Sequence, residues 1–123
     1  MEQQGNGERE KKIDALLAEA DHWLKEAERA SDQEKTLTYC QKAISELLFA
    51  FLWAKGEPEA VNSSLTLLKL WEECVRLEPE ILPLAANLRF FLEKEALSSA
   101  VDKDLLLDAA NEVWDFIFGS LTE

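Results

Sequence analysis

Tyr39-Cys40-Gln41-Lys42-Ala43-Ile44-Ser45-Glu46-Leu47-Leu48-Phe49-Ala50-Phe51-Leu52-Trp53-Ala54-Lys55-Gly56 decides the fold, because no polar residue occurs from Leu47 to Ala54. On a helix those positions point in every direction, and a surface helix can hide only one stripe. One face is expected to meet the domain's own core, while the other needs a second helix pair or a second chain. Phe49, Leu52 and Trp53 are the interface candidates on this helix. Phe90, beside Phe91 further on, joins them, because adjacent residues of a helix cannot share a face.

Helical spacing continues on both sides of this stretch. Upstream, Ile13, Leu16, Leu17, Ala20, Trp23, Leu24 and Ala27 form an apolar stripe that predicts a first helix ending near Ser31. Ser31 or Asp32 can cap the next helix, which Gly56 should stop, and the two make an antiparallel hairpin. Downstream, Asn62, Ser63 or Ser64 offers a cap for a third helix with Leu65, Leu68, Trp71 and Val75 inward, and with Leu67 and Cys74 as further candidates. Pro79 and Pro83 belong at or before the first turn of a fourth helix carrying Leu84, Leu88, Phe91 and Leu92, since a missing N–H is harmless there. Asp102 caps a last helix whose stripe is Leu105 or Leu106, Ala109, Val113, Phe116 and Ile117, ahead of Gly119. There is no alternating β-branched run and no internal repeat. The expected fold is all-α, an up-and-down bundle of four or five helices spanning residues 11–123 behind a polar, disordered tail of residues 1–10.

Composition narrows the function classes. With 123 residues, 47% of them hydrophobic, the chain can build one core and no second domain. Its 25 acidic and 13 basic residues give a formal net charge of −12, which disfavours direct nucleic-acid binding. Cys40 and Cys74 lie in apolar helical patterns without paired spacing and read as buried free thiols in a reducing compartment. The N-terminal residues have neither signal nor transit character, and the longest apolar run falls far short of the roughly 20 residues that span a bilayer. A cytoplasmic protein without membrane association is expected.

Motifs for catalysis are missing. Glu19-x-x-His22 has the spacing used by di-iron bundles, but those need the motif twice, so a boundary histidine is the reading for His22. Glu112-x-x-Asp115 matches half of the Mg2+ signature of helical pyrophosphohydrolases, and no Glu-x-x-Glu precedes it; the pair reads as a solvated face. Neither a phosphate loop nor a nucleophile elbow nor a zinc pattern occurs. No catalytic residue, metal ligand or cofactor is therefore assigned. Arg89 is the one candidate for ligand binding, in an inter-helix cleft, although with Glu93 it also makes an ordinary i,i+4 pair on a solvated face.

The stretch Cys40 to Gly56 resembles the second helix of HEPN domains, in which a Q-x-A-x-x-x-L-L-x-A-x-L pattern ends in Lys-Gly. Ser64-Leu65-Thr66-Leu67-Leu68 is similar to the start of that family's third helix, and Leu106 to Leu121 to its closing helix. The resemblance implies a four- or five-helix bundle, commonly a homodimer, often paired with a minimal nucleotidyltransferase as toxin and antitoxin. Active members are metal-independent ribonucleases that use an Arg separated by four to six residues from a His. Here the corresponding positions after Arg89 are Lys94, Glu95 and Ala96, those after Arg76 are Ile81, Leu82 and Pro83, and the family's basic position in the second helix is Phe49. The expected function is thus a non-catalytic, dimeric binding or regulatory module. The alternatives are a nucleotide binder or ribonuclease-related enzyme near Arg89 and, from a third class, a structural adaptor.

Overall fold

The computed structural model describes residues 2–55, 66–92 and 103–122. Among them there are five α-helices and no strand: α1 (Glu2–Arg29), α2 (Gln33–Ala54), α3 (Leu67–Leu77), α4 (Ala85–Leu92) and α5 (Lys103–Thr122), with a 3-10 segment, Pro79–Leu84, leading into α4. The protein is an all-α helical bundle. No helix among the described residues is long and apolar enough to cross a membrane.

Asp32 is the N-cap that starts α2: its backbone is extended and its carboxylate accepts a 2.7 Å hydrogen bond from the Lys35 N–H. Thr36, in the first turn, is wholly buried, so its hydroxyl must find a partner, and it donates to the carbonyls of Asp32 and Ala27. From that turn α2 runs back antiparallel to α1. Trp23 meets Tyr39 near the hairpin, and Lys12 meets Trp53 at the far end. At the start of α5, Lys103 donates to the carbonyls of Glu28 and Ala30 at 2.7 and 2.6 Å, which ties the last helix to the open C-terminal end of α1.

The axis of the bundle is α2, which packs against α1, α3, α4 and α5. This placement answers the apolar run. Leu47, Leu48, Ala50, Phe51 and Leu52 are all at most 1% exposed, because α1, α3, α4 and α5 all pack against this helix. The second helix pair, rather than a second chain, shelters most of the segment. Leu52 is accordingly a core residue and not an interface residue. Phe49, Trp53 and Ala54 remain half-buried.

Other features have local causes. The polar N-terminal stretch is helical from Glu2 as the start of α1, where Glu, Gln, Lys and Arg are good helix formers. Among its described side chains the first buried one is Leu16. Thr66, not Asn62, Ser63 or Ser64, caps α3, accepting from the Lys69 N–H at 3.2 Å, and those three expected caps, with Leu65, lie outside the described residues. With that start the buried face is Leu70, Trp71 and Cys74, and Leu68 turns outward, 51% exposed. Leu106 rather than Leu105 faces the core, and α5 runs through Gly119 to Thr122. The Gly56 stop and the Asp102 cap fall outside the described residues.

Among the described residues Phe51 is the largest wholly buried side chain, so Phe51→Ala should cost about 3–5 kcal/mol in chemical denaturation. Asp32→Ala removes only the cap and should cost about 1 kcal/mol in the same measurement.

Candidate functional site: the outer face of the first two helices

At about 100° per residue, Thr38, Lys42, Ser45, Glu46, Phe49 and Trp53 occupy one arc of α2 of about 100°. All six are half-buried or exposed. The flanking stripe of α1 is Lys12, Glu19 and Trp23, at i, i+7 and i+11. The face therefore combines aromatic rings with charges of both signs, carried on two helices whose other sides are locked in the core.

Its contacts run across the hairpin. The Trp23 and Tyr39 rings stack with centroids 5.6 Å apart and planes 14° from parallel. The Lys42 ammonium lies 4.4 Å from the Trp23 centroid, a cation–π contact that contributes about 0.5–1 kcal/mol at an exposed site. Lys12 approaches the Trp53 ring at 6.0 Å. Between these two contacts, Glu19 of α1 and Glu46 of α2 line the same groove. Burial pushes the Glu46 carboxyl up to about 7; the neighbouring Glu19 acts in the same direction, and Lys12 opposes both. Trp23, Lys42, Ser45 and both glutamates line a shallow groove of about 480 Å3.

A carboxyl titrating near neutrality has the proton affinity that general acid–base chemistry uses. The remaining requirements are not met here. The groove is open, and its lining holds no histidine or cysteine and no activated nucleophile beside the pair. Among the described residues no group of three or more His, Cys, Asp or Glu side chains is placed to hold a metal ion. The arrangement offers apolar contact beside charged groups.

Of the sequence candidates, Phe49 and Trp53 lie on this face and Leu52 is in the core. Arg89 and Phe90 have their backbone in α4, and their side chains lie outside the described residues. His22 is exposed, with its ring edge against Trp23 at 5.0 Å, and Glu112 and Asp115 are exposed, Glu112 accepting a hydrogen bond from Asn87 of α4. The sequence reading missed Glu19, Lys42 and Glu46 as partners. The i,i+4 spacing of Lys42 and Glu46 was visible, but the approach of Glu19 depends on hairpin register. A second outward aromatic pair, Trp114 and the 41% exposed Phe118, stacks on α5 with centroids 5.2 Å apart.

Comparison of the chain with protein-family models, with curated proteins and with solved structures finds no match.

Both cysteines are free and wholly buried. Burial pushes the Cys40 thiol up to about 12, and burial together with the nearby Glu73 charge does the same for Cys74. Since the thiolate is the reactive form, neither should react with an aqueous disulfide reagent at pH 8 in the folded protein, and both should react on unfolding, as counted by released chromophore.

Proposed function

We propose that this protein is a non-catalytic, HEPN-like binding module that works as a homodimer through the outer face of α1 and α2. The observation that carries the reading is the half-exposed Phe49 and Trp53 on an otherwise closed axial helix. Large aromatic side chains left partly in water favour association, each covering 150–250 Å2 when buried.

The charge pattern of α2 supports a second copy as the occupant. In an antiparallel two-fold contact centred between Ser45 and Glu46, Lys42 of one copy meets Phe49 of the other and Thr38 meets Trp53. Such a contact uses the same patch twice, as two-fold interfaces do. Position 49, basic in the family that the chain resembles, then acts by apolar contact instead of holding phosphate. In the same reading the protein regulates or is regulated by a separate partner, for which the resemblance implies a minimal nucleotidyltransferase in a toxin–antitoxin pair, and it acts in the cytoplasm.

Size-exclusion chromatography with light scattering should give a dimer mass for the wild type at about 100 µM. Phe49→Lys with Trp53→Ala should give a monomer of unchanged helicity by circular dichroism. A wild type that stays monomeric at millimolar concentration overturns the homodimer.

A further inference from the structure

We propose that the valley between α1 and α5 is a second docking surface, apolar along its floor and acidic on both banks, and that its occupant is a basic amphipathic helix of a partner protein. The surface is independent of the homodimer proposed above, which uses the opposite flank of α1.

The floor belongs to α5. At about 100° per residue, Leu107, Trp114, Phe118 and Leu121 fall in one strip about 60° wide. All four keep part of their surface in water: Phe118 is 41% exposed and stacks on Trp114, and the other three are half-buried. Lys103 lies on the same strip, and its hydrogen bonds to the Glu28 and Ala30 carbonyls turn this flank of α5 toward α1. The other flank carries Glu112, which meets Asn87 of α4. Direction follows from two contacts with α2. The Cys40 thiol reaches the Leu106 carbonyl near the start of α5, and Phe51 shares a cavity with Phe116 and Ser120 near its end. Helix α5 therefore runs parallel to α2 and antiparallel to α1, and at equal rise from the Lys103 tie Phe118 comes about level with Asp14.

Both banks carry one sign. Glu10, Asp14 and Asp21 lie within about 40° of arc on α1, on the flank away from Lys12 and Trp23. Asp104, Asp108 and Asp115 follow Phe118 around the outside of α5, all three exposed. Lys25 pairs with Asp21 at 2.9 Å, and among the described residues the other five carboxylates make no ion pair. The single basic residue of α5, Lys103, is committed to α1, and the last turn of the helix has none, so its C-terminal dipole adds to the negative field.

That chemistry selects the occupant. The floor is about 21 Å long and is carried on helical spacing, which suits the apolar face of a helix laid along it. Acidic banks on both sides favour Lys and Arg beside the apolar anchors and steer their approach. A second copy of this chain would bring the same carboxylates against these, and like charges facing each other disfavour it.

The test is a titration of the full chain with a synthetic amidated peptide of about 18 residues, leucine on one helical face and lysine on the other, and with its glutamate-for-lysine counterpart. Binding is read by anisotropy of a label on the peptide and by amide NMR shifts. We expect shifts concentrated on residues 107–121 of α5 and 10–21 of α1, and binding of the glutamate peptide at least about tenfold weaker. Phe118→Ser should weaken the lysine peptide about tenfold. Asp14→Asn with Asp115→Asn should weaken it by a similar factor and flatten its salt dependence between about 50 and about 500 mM, with helicity unchanged by circular dichroism in both variants. Equal affinity for the two peptides, shifts centred on the α1–α2 face, or no binding at about 1 mM overturns the proposal. Loss of a wild-type dimer on Phe118→Ser alone assigns the strip to a second copy and overturns it as well. A monomeric wild type that still binds the lysine peptide at the strip removes the homodimer and leaves this surface standing.

Discussion

The structure depends on keeping water from α2. Ten of its side chains, from Thr36 to Leu52, are buried, and they span about 200° of the helix circumference. A helix buried so widely must stand at the centre of a bundle, with neighbours on both sides. Each buried Leu, Ile or Phe contributes about 1.5–3 kcal/mol by leaving water, and the Ile44–Leu52 segment supplies Ile44, Leu47, Leu48, Phe51 and Leu52 to that sum. The other helices are amphipathic and are held to this axis by the stripes they turn toward it. Polar ties between elements among the described residues include Lys103 on the end of α1, Gln41 donating to the Phe91 carbonyl at 3.0 Å, Lys55 with Glu78, and Asn87 with Glu112.

Because the core is closed around α2, the surface of the protein is defined by what the axis leaves out. Thr38, Lys42, Ser45, Glu46, Phe49 and Trp53 are the uncovered remainder, and α1 borders them with Lys12, Glu19 and Trp23. The rigidity of that face comes from burial on its other side, which is what a contact surface needs if binding is not to cost side-chain and backbone order. Its chemistry is mixed. Aromatic area favours association, and burial beside Glu19 pushes the Glu46 carboxyl up toward neutrality.

Much of this was legible in the sequence. The stripe Leu16, Leu17, Ala20, Leu24 and Ala27, the Asp32 cap and the buried Leu84, Leu88, Val113 and Ile117 follow from helical period and capping chemistry, which are local. The failures were of two kinds. Leu67, Leu68 and Leu70 allow more than one phase for α3, and only the Thr66 cap with the packing of Trp71 and Cys74 selects the one in which Leu68 is exposed. Leu52 was placed at an interface because periodicity cannot say how many neighbours a helix has; four helices around α2 turned that surface inward. The placement of Glu19 and Glu46 in one groove lies beyond such reading for another reason, since it depends on the register of two helices joined at Asp32 and on the degree of burial at their seam.

The central claim is that a single chain shelters the apolar segment at its axis and leaves only the outer stripe for contact. Native-state hydrogen exchange of α2, followed on dilution from about 100 µM to about 1 µM, tests it most directly. The amides of Ile44 to Leu52 should exchange only by global unfolding at the dilute end, as they do at the concentrated end after any difference in total stability is taken into account. Loss of protection confined to this segment on dilution, with α1 and α5 still protected, would show that a second chain is what keeps it dry, and would contradict the account.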